Sequence, residues 1–468
     1  MLFNSLEFFF FFPLVTLVFF LLSHQYRWMH LLLASCVFYM FFVPEYILIL
    51  LITILIDFVA GIYIEKAEGK KRKGYLVVSV VSTCLVLFVF KYFGFFNENL
   101  HWLSEKLGFS YPNRQFDILL PIGLSFHTFQ SLSYVIEVYR GNQKAERHFG
   151  LYSLYVLFYP QLVTGPIERP QSLLRQIHEV QTFQWQNLID GLRLILFGFF
   201  VKMVIADNLA PIVDTVYNSP ENLHSGAILK GIFFYSFQIY CDFLGYSTIA
   251  VGCAKAMGFS IMDNFKNPYL AQSIGEFWQR WHISLSTWFR DYVYFSLGGN
   301  KVKVSRWILN ILIVFVVSGF WHGANWTFII WGFLHGLLYL VEAVFYKKFP
   351  KLGDSAKGIL RYFKIGLTFV LVSFIWVFFR AKDWAQAKLV FKSLLKNWHV
   401  PSDVEIPTSV WYFLLGFILL DTLLFQSRFD KWCSTIQWPV RWSIYFALLF
   451  LTIAFSGVEN YPFIYFQF

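Results

Sequence analysis

The feature that most constrains this chain is a series of long apolar runs that recurs along almost its entire length. A helix needs roughly 20 mostly apolar residues to cross a bilayer, and backbone in lipid must satisfy its own hydrogen bonds. The pattern therefore predicts one all-α, polytopic membrane domain over residues 1–468, with about ten to twelve membrane helices, some of them re-entrant or tilted. The runs cover residues 7–22, 29–43, 46–64, 75–96, 118–135, 150–163, 190–206, 229–251, 308–345, 364–380, 410–425 and 441–456.

Charged residues are scarce, and their placement indicates how the chain is oriented. Only 14% of residues are charged, whereas soluble domains carry about a quarter. The formal net charge is +10, and the segment "KAEGKKRKG" at 66–74 is rich in lysine and arginine. Loops rich in these residues mark the cytoplasmic side of a membrane protein. Placing it inside puts the N-terminus outside, the 97–117 loop outside and the basic 140–148 loop inside.

The first apolar run predicts a membrane helix and not a cleaved signal peptide. It lacks a basic n-region and a small-residue cleavage site, and another apolar run follows at once. The widest polar stretches between runs are too short for a separate catalytic domain. Any chemistry is therefore expected in or beside the membrane helices.

The stretch 267–300 is rich in both aromatic and charged residues. At helical spacing, Phe277, Trp281, Ser284 and Trp288 would share one face, with Arg280 elsewhere. Ser273 followed three residues later by Glu276 matches a capping box, which predicts a helix start nearby. This composition favours an interfacial or re-entrant helix packed into protein.

The segment "SGFWHGANWTFIIWG", 318–332, places polar groups inside an apolar run. On a continuous helix Ser318, His322 and Asn325 would form one polar stripe, while the glycines would let helices approach closely. An ionisable residue at membrane depth is costly and indicates a functional site. A histidine that only hydrogen-bonds a neighbouring helix is the alternative.

Three further histidines differ in how strongly the sequence argues for function. His282 lies in the predicted interfacial stretch, where a histidine costs little, so functional and structural interpretations are equally open. For His127 and His335 the sequence favours a structural role.

Two other polar groups interrupt apolar runs. Gln238 and Asp242 are four residues apart and share a helix face, which fits either a cavity or tunnel wall or hydrogen bonds between helices. Glu168 and Arg169 follow Gly165 and Pro166, which stop a helix, and fit either a donor-binding loop or a charged interfacial turn.

Motifs for other chemistries are absent from the sequence. There is no dinucleotide fingerprint, phosphate-binding loop, nucleophile elbow or HExxH zinc motif, and the histidines lack metal-ligand spacing with cysteine or carboxylate. Metal ligation is therefore disfavoured. A neutral imidazole in a cavity of low dielectric constant suits a general base for acyl transfer, for which Asn325 or tryptophan N–H groups could stabilise the oxyanion.

Five segments together resemble the bacterial alginate O-acetyltransferase branch of the membrane-bound O-acyltransferase family. They are "LLPIGLSFHTFQSLSYVIEVYRG" (119–141), "GPIERP" (165–170), "FWQRWHISLSTWFRDYVY" (277–294), "SGFWHGANWTFIIWG" (318–332) and "YFQF" (465–468). The resemblance implies a compact multi-helix body with a central funnel or tunnel. It implies that His322 is catalytic and that His282 is required as well.

The other site residues are assigned roles around those two histidines. Asn325, Trp321 and Ser318 are pocket or oxyanion candidates. Gln238, Asp242, Arg280, Glu168 and Arg169 are candidates for a tunnel or for the donor side.

The resemblance also implies a substrate and a cellular setting. Acetyl-CoA would be a cytoplasmic donor substrate, with no cofactor bound and no metal. The acetyl group would pass across the bacterial inner membrane to an exported polysaccharide, through an extracytoplasmic partner of the serine-hydrolase type. The alternatives are the same chemistry on peptidoglycan or teichoic acid, including D-alanyl transfer, and more distantly a transporter or flippase.

Overall fold

The computed structural model describes residues 1–111, 121, 123–162, 165–353, 356–456, 461 and 463–464. Within these ranges all regular secondary structure is helical and no strand occurs, which confirms the all-α prediction. The chain packs as two compact units. The first comprises Met1–Ile189 and Cys253–Met262, and the second comprises Asp190–Gly252 and Asp263–Phe468.

The first unit is built from helices that follow the predicted apolar runs closely. One helix is longer than predicted, because Gly69–Leu87 continues through a π-helical turn, Phe88–Tyr92, into Phe93–Leu107. The predicted 97–117 loop thus starts only where Gly108 adopts φ 75°, and its residues 112–117 lie outside the described ranges. The other helices are Leu6–Leu21, His24–Met40, Tyr46–Lys66, Leu124–Arg140, Phe149–Leu157, Tyr159–Leu162 and Pro170–His178.

Both basic loops of the first unit lie at the same end of that unit. Residues 70–73 of the first basic segment belong to the Gly69–Leu87 helix, and Arg72 there donates a hydrogen bond of 3.1 Å to the carbonyl of Val138, next to the second loop. Arg147 in the second loop forms an ion pair with Glu65 at the end of the Tyr46–Lys66 helix. This arrangement agrees with a common side for the two loops, while the orientation of the N-terminus remains a prediction.

The second unit contains longer helices joined by short irregular segments. A helical stretch runs from Trp185–Phe199 through a π-helical turn, Phe200–Ala206, into Asp207–Asn218, and its first residues belong to the first unit. The helix Ser225–Ala256 follows and ends in the first unit. The remaining elements are Ile274–Arg280, Ile283–Trp288, the π-turn Phe289–Tyr294, Val304–His322, Trp326–Lys348, Pro350–Gly353, Gly358–Arg380, Trp384–Lys396, Thr408–Leu423, Phe429–Thr435 and Trp438–Phe455, with 3₁₀ turns at Pro220–Asn222, Pro268–Leu270 and Asn397–His399.

Seven helices among the described residues are long and apolar enough to cross a membrane. Two shorter apolar helices, Leu6–Leu21 and Thr408–Leu423, follow the same composition. The chain is therefore an integral membrane protein. The seven helices are Tyr46–Lys66, Gly69–Leu107, Ser225–Ala256, Val304–His322, Trp326–Lys348, Gly358–Arg380 and Trp438–Phe455.

The apolar run 308–345 forms two helices and not one, so the predicted single polar stripe is wrong. The first helix ends at His322, Gly323 is extended at φ −160°, and the second helix begins at Trp326. Asn325 causes the restart, because its side chain caps the new helix by accepting from the Thr327 N–H at 3.0 Å. Ser318, His322 and Asn325 therefore do not share one helical face.

The glycines of this hairpin do allow the close approach that the sequence predicted. A Cβ built on Gly319 would lie 2.2 Å from the Phe328 carbonyl oxygen, and one on Gly332 would lie 2.2 Å from the Phe315 carbonyl oxygen. The two glycines face each other across the hairpin. Backbone contact at this point fixes the second helix against the first, within one turn of His322.

The stretch around His282 is also broken, which overturns the predicted continuous face. The helix starts as predicted, with the Ser273 side chain accepting from the Glu276 N–H, but it ends at Arg280 and a new helix begins at Ile283. Asn264 holds the restart: its carbonyl accepts from Ile283 N at 2.9 Å, and its side-chain oxygen accepts from the Ser284 hydroxyl at 2.6 Å. His282 lies in the break.

Candidate active site

The two helix breaks bring His282 and His322 together in the second unit. Their ring centroids are 6.4 Å apart, although the residues are 40 positions apart in sequence (322 − 282). His282 is 0% exposed and His322 is 4% exposed. The two imidazole rings are therefore buried neighbours, although they come from separate helical elements.

His282 is held in an unusual backbone conformation. It adopts φ 43° and ψ 55°, the left-handed region that L-residues visit rarely and that costs roughly 1–3 kcal/mol. Such strain persists only where the surroundings enforce it, and it concentrates at functional sites. Burial lowers the pKa of the His282 imidazole to about 3, so the ring is neutral at physiological pH.

Aromatic rings surround His322 at the end of its helix. The ring centroids of Trp321, Trp331 and Phe379 lie 4.8, 5.1 and 5.2 Å from that of His322. The ring centroid of Trp321 also lies 6.4 Å from that of His282, so Trp321 neighbours both histidines. Ser318 is buried one turn before His322 on the same helix. The arrangement gives a nearly dry site in which electrostatic interactions are strong.

Trp331 belongs to this site, although the sequence analysis did not single it out. Its indole Nε1 is buried and donates to no acceptor among the described residues. A buried polar group without a partner costs free energy and calls for an explanation. In an apolar run a tryptophan looks like core, so only the aromatic density around His322 could have signalled it.

Asn325 has a structural role in this geometry. Its Oδ1 caps the Trp326–Lys348 helix, and its Nδ2 donates to the carbonyl of Lys382 at 2.8 Å. Both ends of the amide are thus committed to holding the hairpin turn. Its contribution to an oxyanion site stays a prediction that would require these bonds to rearrange.

A cavity of about 550 Å³ adjoins the histidine segment within the second unit. Arg280 lines the cavity. Its Nε and Nη2 donate hydrogen bonds of 2.9 and 2.7 Å to Glu276 Oε1. Asn264, which holds the helix restart after His282, forms part of its wall. Three other cationic residues line the cavity: Lys266, Arg428 and Lys431.

Asp242 and Gln238 line a different and much smaller cavity of about 20 Å³. Asp242 forms a buried ion pair of 2.8 Å with Lys202, which also pairs with Asp207 at 2.5 Å. Gln238 Oε1 accepts no hydrogen bond from the described residues, and the space is about that of one water molecule. Lys202 was missed by the sequence analysis, although a lysine inside an apolar run was the available signal.

The remaining candidates lie in places that give them structural contacts. Glu168 and Arg169 belong to the first unit, where Glu168 Oε1 accepts from the Met262 N–H and burial raises the pKa of the carboxyl. His127 Nε2 is hydrogen-bonded to Thr53 Oγ1 at 3.2 Å in the same unit. His335 in the second unit stacks on Phe277 with a centroid distance of 6.1 Å.

No group of three or more His, Cys, Asp or Glu side chains in the described part of the chain is arranged to hold a metal.

Comparison with known proteins gives matches over most of the chain. Residues 147–381 match the model of the membrane-bound O-acyltransferase family. The chain is 37% identical to the probable alginate O-acetylase AlgI of Pseudomonas aeruginosa, over 84% of this chain and 75% of that protein. It is 34% identical to the peptidoglycan O-acetyltransferase of Helicobacter pylori, over 78% and 73% of the two chains.

A more distant relative extends the comparison. The teichoic acid D-alanyltransferase of Bacillus subtilis is 29% identical, over 58% of this chain and 68% of that protein. The matched family region contains both site histidines and the helices that carry them. The chain therefore belongs to the membrane-bound O-acyltransferase family and is a membrane O-acyltransferase.

Proposed function

We propose that this chain transfers an acetyl group from acetyl-CoA towards a cell-surface polysaccharide of the alginate type, with His322 as the catalytic base. The observation that carries the proposal is the pair of buried histidines, 6.4 Å apart, in an O-acyltransferase. Three relatives of 33–38% identity are named as probable alginate O-acetylases. They support acetate as the group and a polysaccharide as the acceptor.

The reaction needs one proton acceptor and one group to stabilise charge. His322 takes the proton of the acceptor hydroxyl. At the same time the hydroxyl oxygen forms a C–O bond to the carbonyl carbon of the thioester. The tetrahedral intermediate then breaks its C–S bond, and the proton on His322 passes to the departing thiolate. The products are an ester and a free thiol, with no net proton gained or lost.

The oxyanion needs a preorganised donor, and the Trp331 N–H is the candidate that the geometry favours. It is buried beside His322 and has no acceptor among the described residues. Trp321 and Ser318, which are buried near His322, would shape the same pocket. His282, neutral and fixed in its helix break, would orient the acceptor hydroxyl on the other side of the gap.

The cavity of about 550 Å³ is our candidate for the donor entrance. Its volume suits a cofactor-sized ligand. Lys266 and Lys431 are exposed where they line it, and ammonium groups there would attract the phosphates of coenzyme A. Arg280 and Asn264 connect this wall to the His282 segment.

The wider setting follows from the membrane location of the chain. We propose that the two units act as one domain in the bacterial inner membrane, with ten to twelve helices completed by shorter apolar ones such as Leu6–Leu21, around a central funnel. The N-terminus would face outward. Because acetyl-CoA is cytoplasmic and the polymer is exported, an extracytoplasmic serine-hydrolase-like partner would complete the transfer.

Acceptors other than an alginate-like polymer remain alternatives within the same chemistry. The Helicobacter pylori relative is named for peptidoglycan, and at 34% identity it is almost as similar as the alginate group. Peptidoglycan is therefore the second candidate. Teichoic acid, named for relatives at 29% and 30% identity, comes after it.

A strain that lacks the gene, complemented with defined variants, tests the proposal. Ester-linked acetate would be measured on isolated extracellular polysaccharide and on isolated peptidoglycan. We expect wild type and His335→Phe to restore acetate to the polysaccharide and His322→Ala to restore none, at equal protein levels. Acetate restored by His322→Ala would contradict the catalytic role, and acetate restored only to peptidoglycan would select the second acceptor.

His335→Phe is the matched control because it removes a buried histidine in the same unit. The His335 ring packs against Phe277, Trp278 and Trp331, and its nitrogens have no hydrogen-bond partner among the described residues. A phenyl ring fills a similar space. The control therefore separates loss of chemistry at His322 from loss of packing.

A further inference from the structure

The buried ion-pair cluster in the second unit holds a short segment near position 463. Lys202 Nζ contacts Asp207 Oδ1, Asp242 Oδ1 and the carbonyl of Tyr461, at 2.5, 2.8 and 3.1 Å. The other oxygen of Asp242 accepts from the N–H of Ile464 at 2.7 Å. Lys202 thus donates hydrogen bonds to Asp207 and Tyr461 and forms an ion pair with Asp242, and Asp242 in turn holds Ile464. We call Tyr461, Phe463 and Ile464 the anchor residues.

The anchor residues pack against the helix that supports His282. Phe463 is 0% exposed, and its ring lies 4.7 Å from that of Tyr246 and 5.6 Å from that of Phe243. Phe243 in turn meets His282 edge-on at 4.6 Å and 78°. Asp242, Phe243 and Tyr246 lie within about one turn of a single helix, since a turn takes about 3.6 residues. A chain of contacts therefore links the ion pair of Asp242 to His282, through the anchor residues and the ring of Phe243.

We infer that Asp242 and Phe463 are positioning residues for His282, and that Asp242 acts by fixing the anchor residues against Phe243. This inference rests on the proposed acyl transfer at the histidine pair. His282 occupies a strained backbone conformation, which persists only when neighbouring contacts enforce it. On the Phe243 side that support comes from two rings that pack on Phe243, those of Phe463 and Phe265, with centroid distances of 5.6 and 5.0 Å.

Asp242 has a more specific role in the structure than its sequence position suggested. The sequence left two interpretations open, a cavity or tunnel wall and hydrogen bonds between helices. In the structure both carboxylate oxygens contact protein groups, Lys202 and Ile464. Asp242 therefore acts through the anchor residues and not by touching the reacting atoms.

The test compares Phe463→Ala with Phe234→Ala in the full-length protein in nanodiscs. Phe234 is the matched control because it is fully buried in the same Ser225–Ala256 helix but packs on Trp411, away from the histidines. Two readouts are taken. The first is kcat and KM for CoA release from acetyl-CoA. The second is the rate of His282 modification by diethyl pyrocarbonate, located by mass spectrometry of peptides.

We expect Phe463→Ala to lower kcat on the order of 10- to 100-fold, because misplacing a reacting group by about 1 Å costs that much. KM should stay near wild type and His282 should be modified several-fold faster. Phe234→Ala should change neither quantity in the folded fraction. Phe463→Leu keeps an apolar side chain but loses the ring contacts with Phe243 and Tyr246, so it should shift both quantities in the same direction by a smaller factor, and it carries the test if the alanine variant does not fold.

Equal kcat and equal His282 modification in Phe463→Ala and Phe234→Ala would overturn the inference. The chemical modification does not depend on turnover. Faster modification of His282 in Phe463→Ala, in a preparation whose wild type releases no CoA, would uphold the positioning role and count against the proposed function instead.

Discussion

Buried histidines occur in both units of this molecule, and they differ in the backbone that carries them. In the first unit His127 lies within the Leu124–Arg140 helix, where its Nε2 is hydrogen-bonded to Thr53. In the second unit His282 lies in a helix break at positive φ, and His322 is the last residue of its helix. All three are at most 4% exposed. Burial alone therefore does not distinguish a catalytic histidine from a structural one.

What distinguishes His282 and His322 is that the regular backbone stops at each of them, whereas the buried His335 of the same unit lies inside the Trp326–Lys348 helix. A helix interior fixes a side chain among its neighbours and leaves little room for a ligand. At a break, side chains from separate elements can converge on one gap, as His282 and His322 do at 6.4 Å. The cost is backbone strain and a buried Trp331 N–H without an acceptor among the described residues. Such costs are retained where function requires them.

The larger of two expected effects concerns Trp331. Replacing Trp331 with Phe keeps an aromatic ring beside His322 but removes the N–H that we assign to the oxyanion. Loss of one such donor lowers kcat by about 10²-fold or more, with little effect on KM. Steady-state kinetics of CoA release from acetyl-CoA would measure it.

Trp376→Phe is the control for that variant, because Trp376 is a buried tryptophan that stacks on Trp331 at 5.6 Å. If both variants lost activity equally, the aromatic packing and not the Trp331 N–H would be responsible. The histidine site would then differ from His127 only in its backbone.

The smaller effect concerns the histidine of the first unit. In His127→Gln the hydrogen bond to Thr53 is weakened, which would cost about 1 kcal/mol of stability. The rate of acyl transfer per folded molecule should not change. Thermal unfolding in detergent and CoA release would measure the two quantities together.

A large fall in kcat for His127→Gln at unchanged stability would contradict the structural role of His127. It would mean that a histidine inside a regular helix takes part in the chemistry. The division between structural and catalytic histidines would then need another basis than the local backbone.

The sequence predicted the class of fold well because lipid imposes a simple rule on composition. Apolar runs became helices over most of the chain, and the Ser273 cap appeared where Glu276 indicated it. The segment 465–468 that contributed to the family resemblance lies outside the described residues. The family assignment stands on the matched region 147–381 and on the relatives.

The breaks at the active site were not predicted, for a physical reason in each case. Around His282 no glycine or proline interrupts the helical pattern, and the break depends on Asn264, 18 positions earlier (282 − 264). At Asn325 the polar side chain was taken for part of a stripe, whereas it starts a new helix. Both outcomes depend on tertiary contacts or on local competition that periodicity does not capture.

The position of Asp242 was predicted, but its partner was not. Its helical register with Gln238 was correct, and both residues line one small cavity. The long-range contacts to Lys202 and Ile464 determine what the carboxylate does. Pairings over such distances follow from the packed fold and cannot be read from spacing.

The central claim, that His282 and His322 form one catalytic centre, is tested most directly by a double-mutant cycle. CoA release from acetyl-CoA would be measured for wild type, His282→Ala, His322→Ala and the double variant in nanodiscs. His322→Ala should lose about 10²- to 10⁴-fold, as expected for a general base, and the double variant should be no slower than His322→Ala. Losses that multiply independently, or wild-type turnover in His322→Ala, would contradict the account.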